Sequence, residues 1–238
     1  MLFISAPFGN YLSLPKTISI TGSFTLQERP GKWKRIFKTL RYSTTYNGWC
    51  NKIGLRNPGI DYAIKNYNKK DIVSIAIMNK NEIEPLLTKI PEDMNIEINI
   101  SCPNTDKEMI SDNINKFINP KRKWCIVKLS PLISFNKIDK LYDAGFRQFS
   151  CCNTLPTKNL NTNLIGGLSG IMLIPYTIPI IKYIKTTYPD TTVIAGGGIR
   201  NWDIANLYFN LGADHISVST LCFNPFKMGY FYAKYLFK

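Results

Sequence analysis

The chain is short of the side chains that hold structural zinc. Its 238 residues include a single histidine, and its six cysteines form no Cys-x-x-Cys pair. This scarcity argues against a structural zinc site, and we expect no bound metal. The cysteines are then expected to be free thiols in a reducing compartment.

Long apolar runs are also missing. No stretch approaches the roughly 18 apolar residues that a membrane-spanning helix needs. The first residues do not show a basic segment followed by a long apolar one, as a secretory signal would. We therefore expect a soluble, cytoplasmic protein without a membrane partner.

Acidic residues are few. Sixteen aspartates and glutamates stand against 30 lysines and arginines, which gives a formal charge of +14. Such a field attracts nucleic acid, anionic membranes and anionic metabolites alike. The basic residues are scattered, with Lys121–Lys123 the tightest run. We interpret them as a solvated surface, and nucleic acid is not the expected partner.

Hydrophobic residues make up 45% of the chain, which excludes a disordered protein. Short β-branched or apolar runs alternate with segments long enough for one helix, the pattern of parallel strands with crossover helices. Eight such strands close a barrel. We predict a somewhat truncated (β/α)8 TIM barrel, in the α/β class, as a single domain over residues 1–238. The eight runs are Leu2–Ala6, Thr17–Phe24, Ile72–Met78, Asn95–Ile100, Cys125–Leu129, Arg147–Cys151, Thr192–Ala195 and His215–Ser219.

Segments between these runs carry helix signals. Asn201 can cap a helix that Gly212 ends, and a second helix within Ile138–Gly145 ends in the same way. Residues 25–70 show no clear periodicity, so we expect them to form a long excursion over one mouth of the barrel.

Polar residues cluster where the predicted strands end, which is where such barrels carry their active sites. The sequence from Asn99 to Asn104 reads Asn-Ile-Ser-Cys-Pro-Asn, and Asn153-Thr154 follows another run. Lys128 stands among apolar neighbours and so needs an anionic partner. These junctions supply amides, a thiol and an ammonium without paired carboxylates or histidine. They suit a planar, anionic, amide-bearing ligand better than hydrolysis.

Two glycine-rich junctions follow, at Gly166–Gly170 and Gly196–Gly198, and Ser219-Thr220 ends the last run. Loops after the seventh and eighth strands of such barrels often bind phosphate through backbone N–H groups. Tight turns without a ligand are the alternative interpretation.

The chain resembles the dihydroorotate dehydrogenases, flavin enzymes of pyrimidine synthesis. Ile20–Thr25 with Arg29 and Gly31 is similar to the family's second-strand segment, and Asn51–Asn57 resembles its substrate loop. Asn99–Asn104 resembles its Asn-x-Ser-Cys-Pro-Asn signature. Lys128, Asn153-Thr154, Gly167–Gly170 and Gly197-Gly198 then follow in family order.

The resemblance implies an FMN-dependent oxidation of dihydroorotate to orotate in de novo UMP biosynthesis. Cys102 would be the base that takes a proton from C5, while C6 passes a hydride to N5 of FMN. A cysteine there is typical of the soluble class-1 enzymes. Lys128 would stabilise negative charge near N1 of the flavin. Substrate contacts would come from Asn51, Asn99, Asn104, Asn153 and Thr154, and cofactor contacts from Ser23, Asn99, Lys128, Gly167, Ser169, Gly170, Gly197, Gly198, Ser219 and Thr220.

The electron acceptor stays open between fumarate and NAD reached through a partner subunit, and a homodimer is also left open. The soluble enzymes usually carry a lysine in the second-strand segment where Gly22 stands here. This departure leaves a catalytically degenerate flavin-binding barrel as one alternative. The charge of +14 leaves a second, a dihydrouridine synthase-like flavin reductase acting on tRNA.

Overall fold

A closed barrel of parallel strands forms the centre of the molecule. The computed structural model describes residues 1–100, 113–160 and 163–237. The strands within these ranges are β1 (Leu2–Ile4), β2 (Thr17–Phe24), β3 (Arg41–Ser43), β4 (Gly48–Asn51), β5 (Ile72–Ile75), β6 (Ile96–Asn99), β7 (Cys125–Lys128), β8 (Gln148–Cys151), β9 (Leu155–Pro156), β10 (Gly167–Gly170), β11 (Thr192–Gly196) and β12 (His215–Val218). The barrel runs β1-β12-β11-β8-β7-β6-β5-β2 and closes on itself. The predicted TIM barrel is confirmed, and each of the eight predicted runs contributes one of its strands.

Helix α1 (Lys32–Thr39) buries no side chain and contacts β4. The other helices pack around the barrel and cover its outward-facing side chains: α2 (Ile60–Lys65), α3 (Ile83–Lys89), α4 (Phe135–Asp143), α5 (Ile174–Thr187), α6 (Trp202–Asn210) and α7 (Pro225–Leu236). The predicted cap of α6 is present, because the Asn201 side chain accepts a hydrogen bond from the Ile204 N–H. Gly212 follows with a φ of +98°, a conformation that favours glycine.

The barrel interior is divided into two layers along its axis. Toward the amino ends of the strands, six buried apolar residues fill the centre. Because side chains alternate along a strand, the residues two positions further on point inward again, and these are small or polar. The strands therefore pass from an apolar plug to a polar layer at their carboxyl ends. The plug is Phe3, Ile20, Ile72, Trp124, Ile126 and Ile194, and the residues two positions after five of these are Ser5, Gly22, Ser74, Lys128 and Gly196.

A second, four-stranded antiparallel sheet has the order β3-β4-β10-β9. Residues 25–70 were expected to form a long excursion without regular structure, and this sheet corrects that expectation because residues 41–51 supply two of its strands. It also shows that Gly167–Gly170 is a strand paired with β4 rather than a loop. A Cβ on Gly48 would lie 2.3 Å from the Ser169 carbonyl oxygen, so this close strand pairing requires glycine.

None of the helices in the described ranges combines the length and apolar character needed to cross a membrane.

Candidate active site

A cavity of about 110 Å³ opens at the carboxyl ends of the barrel strands. Its walls come from both ends of the chain and from the middle, so the closed barrel brings together residues far apart in sequence. The lining residues are Ser5, Ala6, Pro7, Asn51, Lys128, Ser150, Cys152, Asn153, Thr154, Ser169, Gly170, Leu173, Gly196, Gly197, Gly198, Ile199, Ser217, Val218, Ser219 and Thr220.

Lys128 has the anionic partner that its apolar surroundings predict. Its Nζ lies 3.3 Å from Oε1 of Glu97 on the neighbouring strand β6, and the Glu97 side chain has no solvent exposure. Ser74 donates a second hydrogen bond to the same oxygen, at 2.8 Å. The ammonium is therefore held at the base of the cavity by a buried ion pair.

Amides and hydroxyls continue from this pair across three strands. Ser74 Oγ lies 2.8 Å from Ser23 Oγ, and Asn99 Nδ2 donates to Ser23 Oγ at 3.1 Å. Asn153 Nδ2 in turn donates to Asn99 Oδ1 at 3.1 Å. The amide side chains predicted for substrate binding at Asn99 and Asn153 thus contact each other directly.

The segments that follow β11 and β12 also line the cavity. Gly197 and Gly198 follow β11 with φ values of +88° and +79°. The carbonyl of Gly197 accepts from Tyr208 Oη at 2.6 Å. Within the described parts of the chain, the main-chain N–H groups of Gly197, Gly198, Ser219 and Thr220 have no backbone partner. Such groups are suited to binding an anion.

The groups that line the cavity suit the same kind of ligand. Its described lining contains the Lys128 ammonium and no carboxylate, while the Glu97 carboxylate that pairs with the ammonium does not line it. An anion at the cavity therefore meets hydrogen-bond donors.

The second sheet positions the segment that precedes the cavity. Asn51 ends β4, opposite Gly167 of β10, and lines the cavity. Further on, Asn57 is buried and acts as a polar hub: it accepts from the N–H groups of Thr25 and Gly59 and donates to the Leu55 carbonyl. The 51–57 loop is thereby fixed against the end of β2.

Most of the predicted site residues meet at this cavity. Asn51, Lys128, Asn153, Thr154, Ser169, Gly170, Gly197, Gly198, Ser219 and Thr220 line it. Ser23 and Asn99 join it through the hydrogen-bond chain. Gly167 lies behind the lining, where an added Cβ would clash with the Thr154 side chain at 2.3 Å. Cys102 and Asn104 lie outside the described residues.

Other residues of the site were not predicted. Ser5, Ser150, Cys152 and Ser217 line the cavity because the first, sixth and eighth barrel strands also end there. Glu97 was missed although the run from Asn95 to Asn99 alternates polar and apolar residues. That alternation signals a strand whose inward face is polar.

Two cysteines follow one another at this edge but differ in environment. Cys152 lines the cavity, whereas Cys151 is fully buried in the outer core. A hydrogen bond with Cys152 and burial raise the pKa of the Cys151 thiol well above its ordinary value. Cys151 is therefore a neutral packing residue.

Comparison with known proteins gives a consistent result. The family model described as "Dihydroorotate dehydrogenase" matches residues 9–229. A Petrotoga mobilis protein named "Dihydroorotate dehydrogenase B (NAD(+)), catalytic subunit" is 32% identical over 235 residues, covering 86% of this chain and 76% of that protein. A Thermotoga maritima protein of the same name is 26% identical, covering 94% and 91%.

Solved structures share the fold. The structure of DHODH from Eimeria tenella in complex with ferulenol has a TM-score of 0.70 at 16% identity, covering 92% of this chain and 75% of that one. The ligand-free form of DHODH from that organism gives 0.67 at 17% identity, covering 92% and 78%. At these identities the likeness concerns the fold alone.

Proposed function

The chain belongs to the dihydroorotate dehydrogenase family, and from that premise we propose that it oxidises dihydroorotate to orotate in UMP biosynthesis, with FMN as its cofactor. The observation that carries the proposal is the cavity in which Lys128, Asn153, Thr154 and the Gly197-Gly198 turn meet. The match over residues 9–229 favours this activity over a reductase acting on tRNA.

The residues present fit FMN. Unpaired N–H groups at Gly197, Gly198, Ser219 and Thr220 suit its phosphate, and the hydroxyl of Ser169 is close to the same cavity. We propose that these residues, with Ser23, Asn99, Lys128, Gly167 and Gly170, hold the cofactor. When bound, FMN supplies a hydride acceptor for C6 of the substrate.

The chain's own residues bind and orient the substrate. We assign Asn51, Asn99, Asn153, Thr154 and, by resemblance to the family, Asn104 to the substrate. Their amides can donate to a carboxylate and accept from an imide N–H without adding charge. Lys128 supplies a fixed positive charge where negative charge accumulates during the reaction.

Cys102 is assigned as the base that removes the proton from C5. An ordinary thiol has a pKa of about 8.5, so this role requires the thiolate to form when substrate binds. The assignment comes from the Asn-x-Ser-Cys-Pro-Asn signature of the family, in which Cys102 occupies the cysteine position.

The acceptor and the assembly are further parts of the proposal. The named relatives are catalytic subunits of NAD⁺-linked enzymes, so we favour electron transfer to NAD⁺ through a partner subunit over transfer to fumarate. We also propose that residues 1–238 act as one domain, in the cytoplasm, and that a homodimer is the form to test first.

The deciding experiment is anaerobic reduction of the purified protein. We expect a yellow preparation with a flavin absorbance band at about 450 nm, and we expect this band to bleach when dihydroorotate is added. A yellow protein that dihydroorotate does not bleach would contradict the proposed oxidation and favour the degenerate flavin-binding barrel. A colourless preparation that FMN cannot reconstitute would contradict the cofactor as well.

The base is tested by Cys102→Ser, with Cys152→Ser as the matched control because Cys152 is a thiol that lines the cavity. We expect Cys102→Ser to slow bleaching by about 100-fold or more while the bound flavin is retained, a size typical of general-base catalysis. Equal rates for Cys102→Ser and wild type would remove Cys102 from the mechanism.

A further inference from the structure

We infer that Glu97 is a positioning residue that holds the Lys128 ammonium and sets the direction of the hydrogen-bond chain leading to the substrate amides. The inference rests on the proposed function, because it concerns the same cavity. It assigns a role to a carboxylate that does not itself line the cavity.

The chain of hydrogen bonds has only one consistent direction. A carboxylate paired with an ammonium can only accept, so Ser74 must donate its single hydrogen to Glu97. Ser74 Oγ must then accept from Ser23, at 2.8 Å. Ser23 has no hydrogen left for Asn99, and it accepts from the Asn99 amide nitrogen.

The direction reaches the two amides of the site. Because Asn99 uses its nitrogen toward Ser23, its oxygen is the atom that accepts from Asn153 Nδ2 at 3.1 Å. The Asn153 oxygen is occupied by the Thr154 N–H at 2.8 Å. The chain is therefore directed from both ends: Glu97 sets it through the two hydroxyls, and the Thr154 N–H sets it at Asn153.

Stability alone does not explain this carboxylate. The second oxygen of Glu97, Oε2, is buried and has no hydrogen-bond partner among the described residues. An unsatisfied buried acceptor costs stability, and a buried ion pair is often no better than well-packed apolar groups. A charge kept at such a cost is expected where its position serves function.

Replacing the carboxylate by an amide removes both effects. In Glu97→Gln the ammonium of Lys128 loses its opposite charge. The new amide can donate to Ser74, so the chain through Ser23 is free to run in either direction. The hydrogen of Ser23 is then no longer committed to Ser74, so Asn99 Nδ2 loses its fixed acceptor without any change in side-chain volume.

The test measures orotate binding by the change in the flavin spectrum, which needs no turnover. We expect Glu97→Gln and Ser74→Ala each to weaken orotate binding by about 10-fold or more, as the loss of a charge-linked hydrogen bond does. Ser74→Ala interrupts the hydrogen-bond chain but leaves the Glu97–Lys128 ion pair in place. If Glu97→Gln does not fold, Ser74→Ala still tests the inference.

Ser19→Ala is the matched control. Ser19 is a buried serine of the same strand as Ser23, and its hydroxyl donates to the Leu12 carbonyl at 3.0 Å, outside the chain. This variant should lose stability and keep wild-type orotate affinity. Glu97→Asp should bind orotate more tightly than Glu97→Gln because it keeps the acceptor-only chemistry.

The outcomes separate the two proposals. A wild-type protein that binds neither FMN nor orotate overturns the proposed function. A wild-type protein that binds both, with Glu97→Gln and Ser74→Ala within twofold of its orotate affinity, overturns the inference about Glu97 alone. Equal weakening by Ser19→Ala would also overturn it, since general loosening of the barrel would then explain the result.

Discussion

The Gly22 backbone lies against the carbonyl of Ser74 on the neighbouring barrel strand, so closely that a Cβ added to Gly22 would lie 2.5 Å from that oxygen. The two residues face each other in the register of β2 and β5. Gly22 also has a φ of +106°, which a side chain rarely tolerates. The position where the resemblance to the soluble enzymes implied a lysine is thus built here around glycine.

Placing a lysine at position 22 should therefore destabilise the folded protein. We expect Gly22→Lys, and also Gly22→Ala, to lower the free energy of unfolding by more than about 2 kcal/mol, because both the clash and the φ must be relieved. Urea denaturation measures the change. Gly229→Ala is the control: apart from its chain neighbours and the backbone of its own helix, nothing lies within 4 Å of the added Cβ, and helix α7 should gain about 0.5–1 kcal/mol. A Gly22→Lys variant of wild-type stability would show that β2 can adopt another backbone.

Asn57 should be critical for the substrate loop. In Asn57→Ala the N–H groups of Thr25 and Gly59 lose their acceptor, at a cost of about 2–4 kcal/mol for two buried donors. Asn57→Asp keeps that acceptor and loses the donations to the Leu55 carbonyl and to Thr25 Oγ1, so it should be the milder change. Limited proteolysis within residues 51–57 checks this order. Cleavage at the same rate in both variants would contradict it.

Asn153 should matter for ligand affinity more than for stability. Removing its amide in Asn153→Ala breaks the contact with Asn99 and removes a proposed substrate group, so orotate should bind about 10- to 100-fold more weakly. Asn66→Ala, which removes an exposed amide bonded to the Tyr62 carbonyl, is the control. Orotate titration distinguishes the two variants, and equal affinities would remove Asn153 from the binding site.

His215 should make stability depend on pH. Burial lowers the pKa of His215 below its ordinary value of 6.5. The unfolded chain therefore binds a proton at a higher pH than the folded protein does, and stability falls as the pH drops below 6.5, roughly. The urea midpoint of wild type should decrease between about pH 7.5 and about pH 5.5.

In His215→Gln this contribution is absent, so the decrease over the same interval should be smaller. The ring also packs near Phe3 and Trp124, and the variant is expected to have a lower midpoint at every pH. A variant whose midpoint falls as steeply as that of wild type would assign the pH dependence to other groups.

The barrel was predictable because its signal is local. Each barrel strand is a short apolar run, and Thr17–Phe24 was predicted with the observed ends. The second sheet was not, because β4 and β10 pair across more than 100 residues and contain few β-branched side chains. Strands of this kind are stabilised by tertiary pairing rather than by their own sequence.

The site was predictable in its parts but not in its connections. Lys128 among apolar neighbours implied an anion, yet only the register of β6 and β7 brings Glu97 beside it. The alternation of Asn95, Glu97 and Asn99 was a usable signal for an inward polar face. The partner of each hydroxyl in the hydrogen-bond chain lies on a neighbouring strand, so the sequence of a single strand could not predict it.

The sequence by itself determined the eight strand runs, the helix caps and the set of polar residues at the strand ends, because these depend on side-chain periodicity and on local backbone preferences. The tertiary structure decided which of these polar groups meet. Closing the barrel places β1 beside β12, and this juxtaposes Ser5 with Ser217 across more than 200 residues. Strand register then fixes every hydrogen bond between Asn153 and Lys128, since a shift by one residue would turn these side chains to the other face.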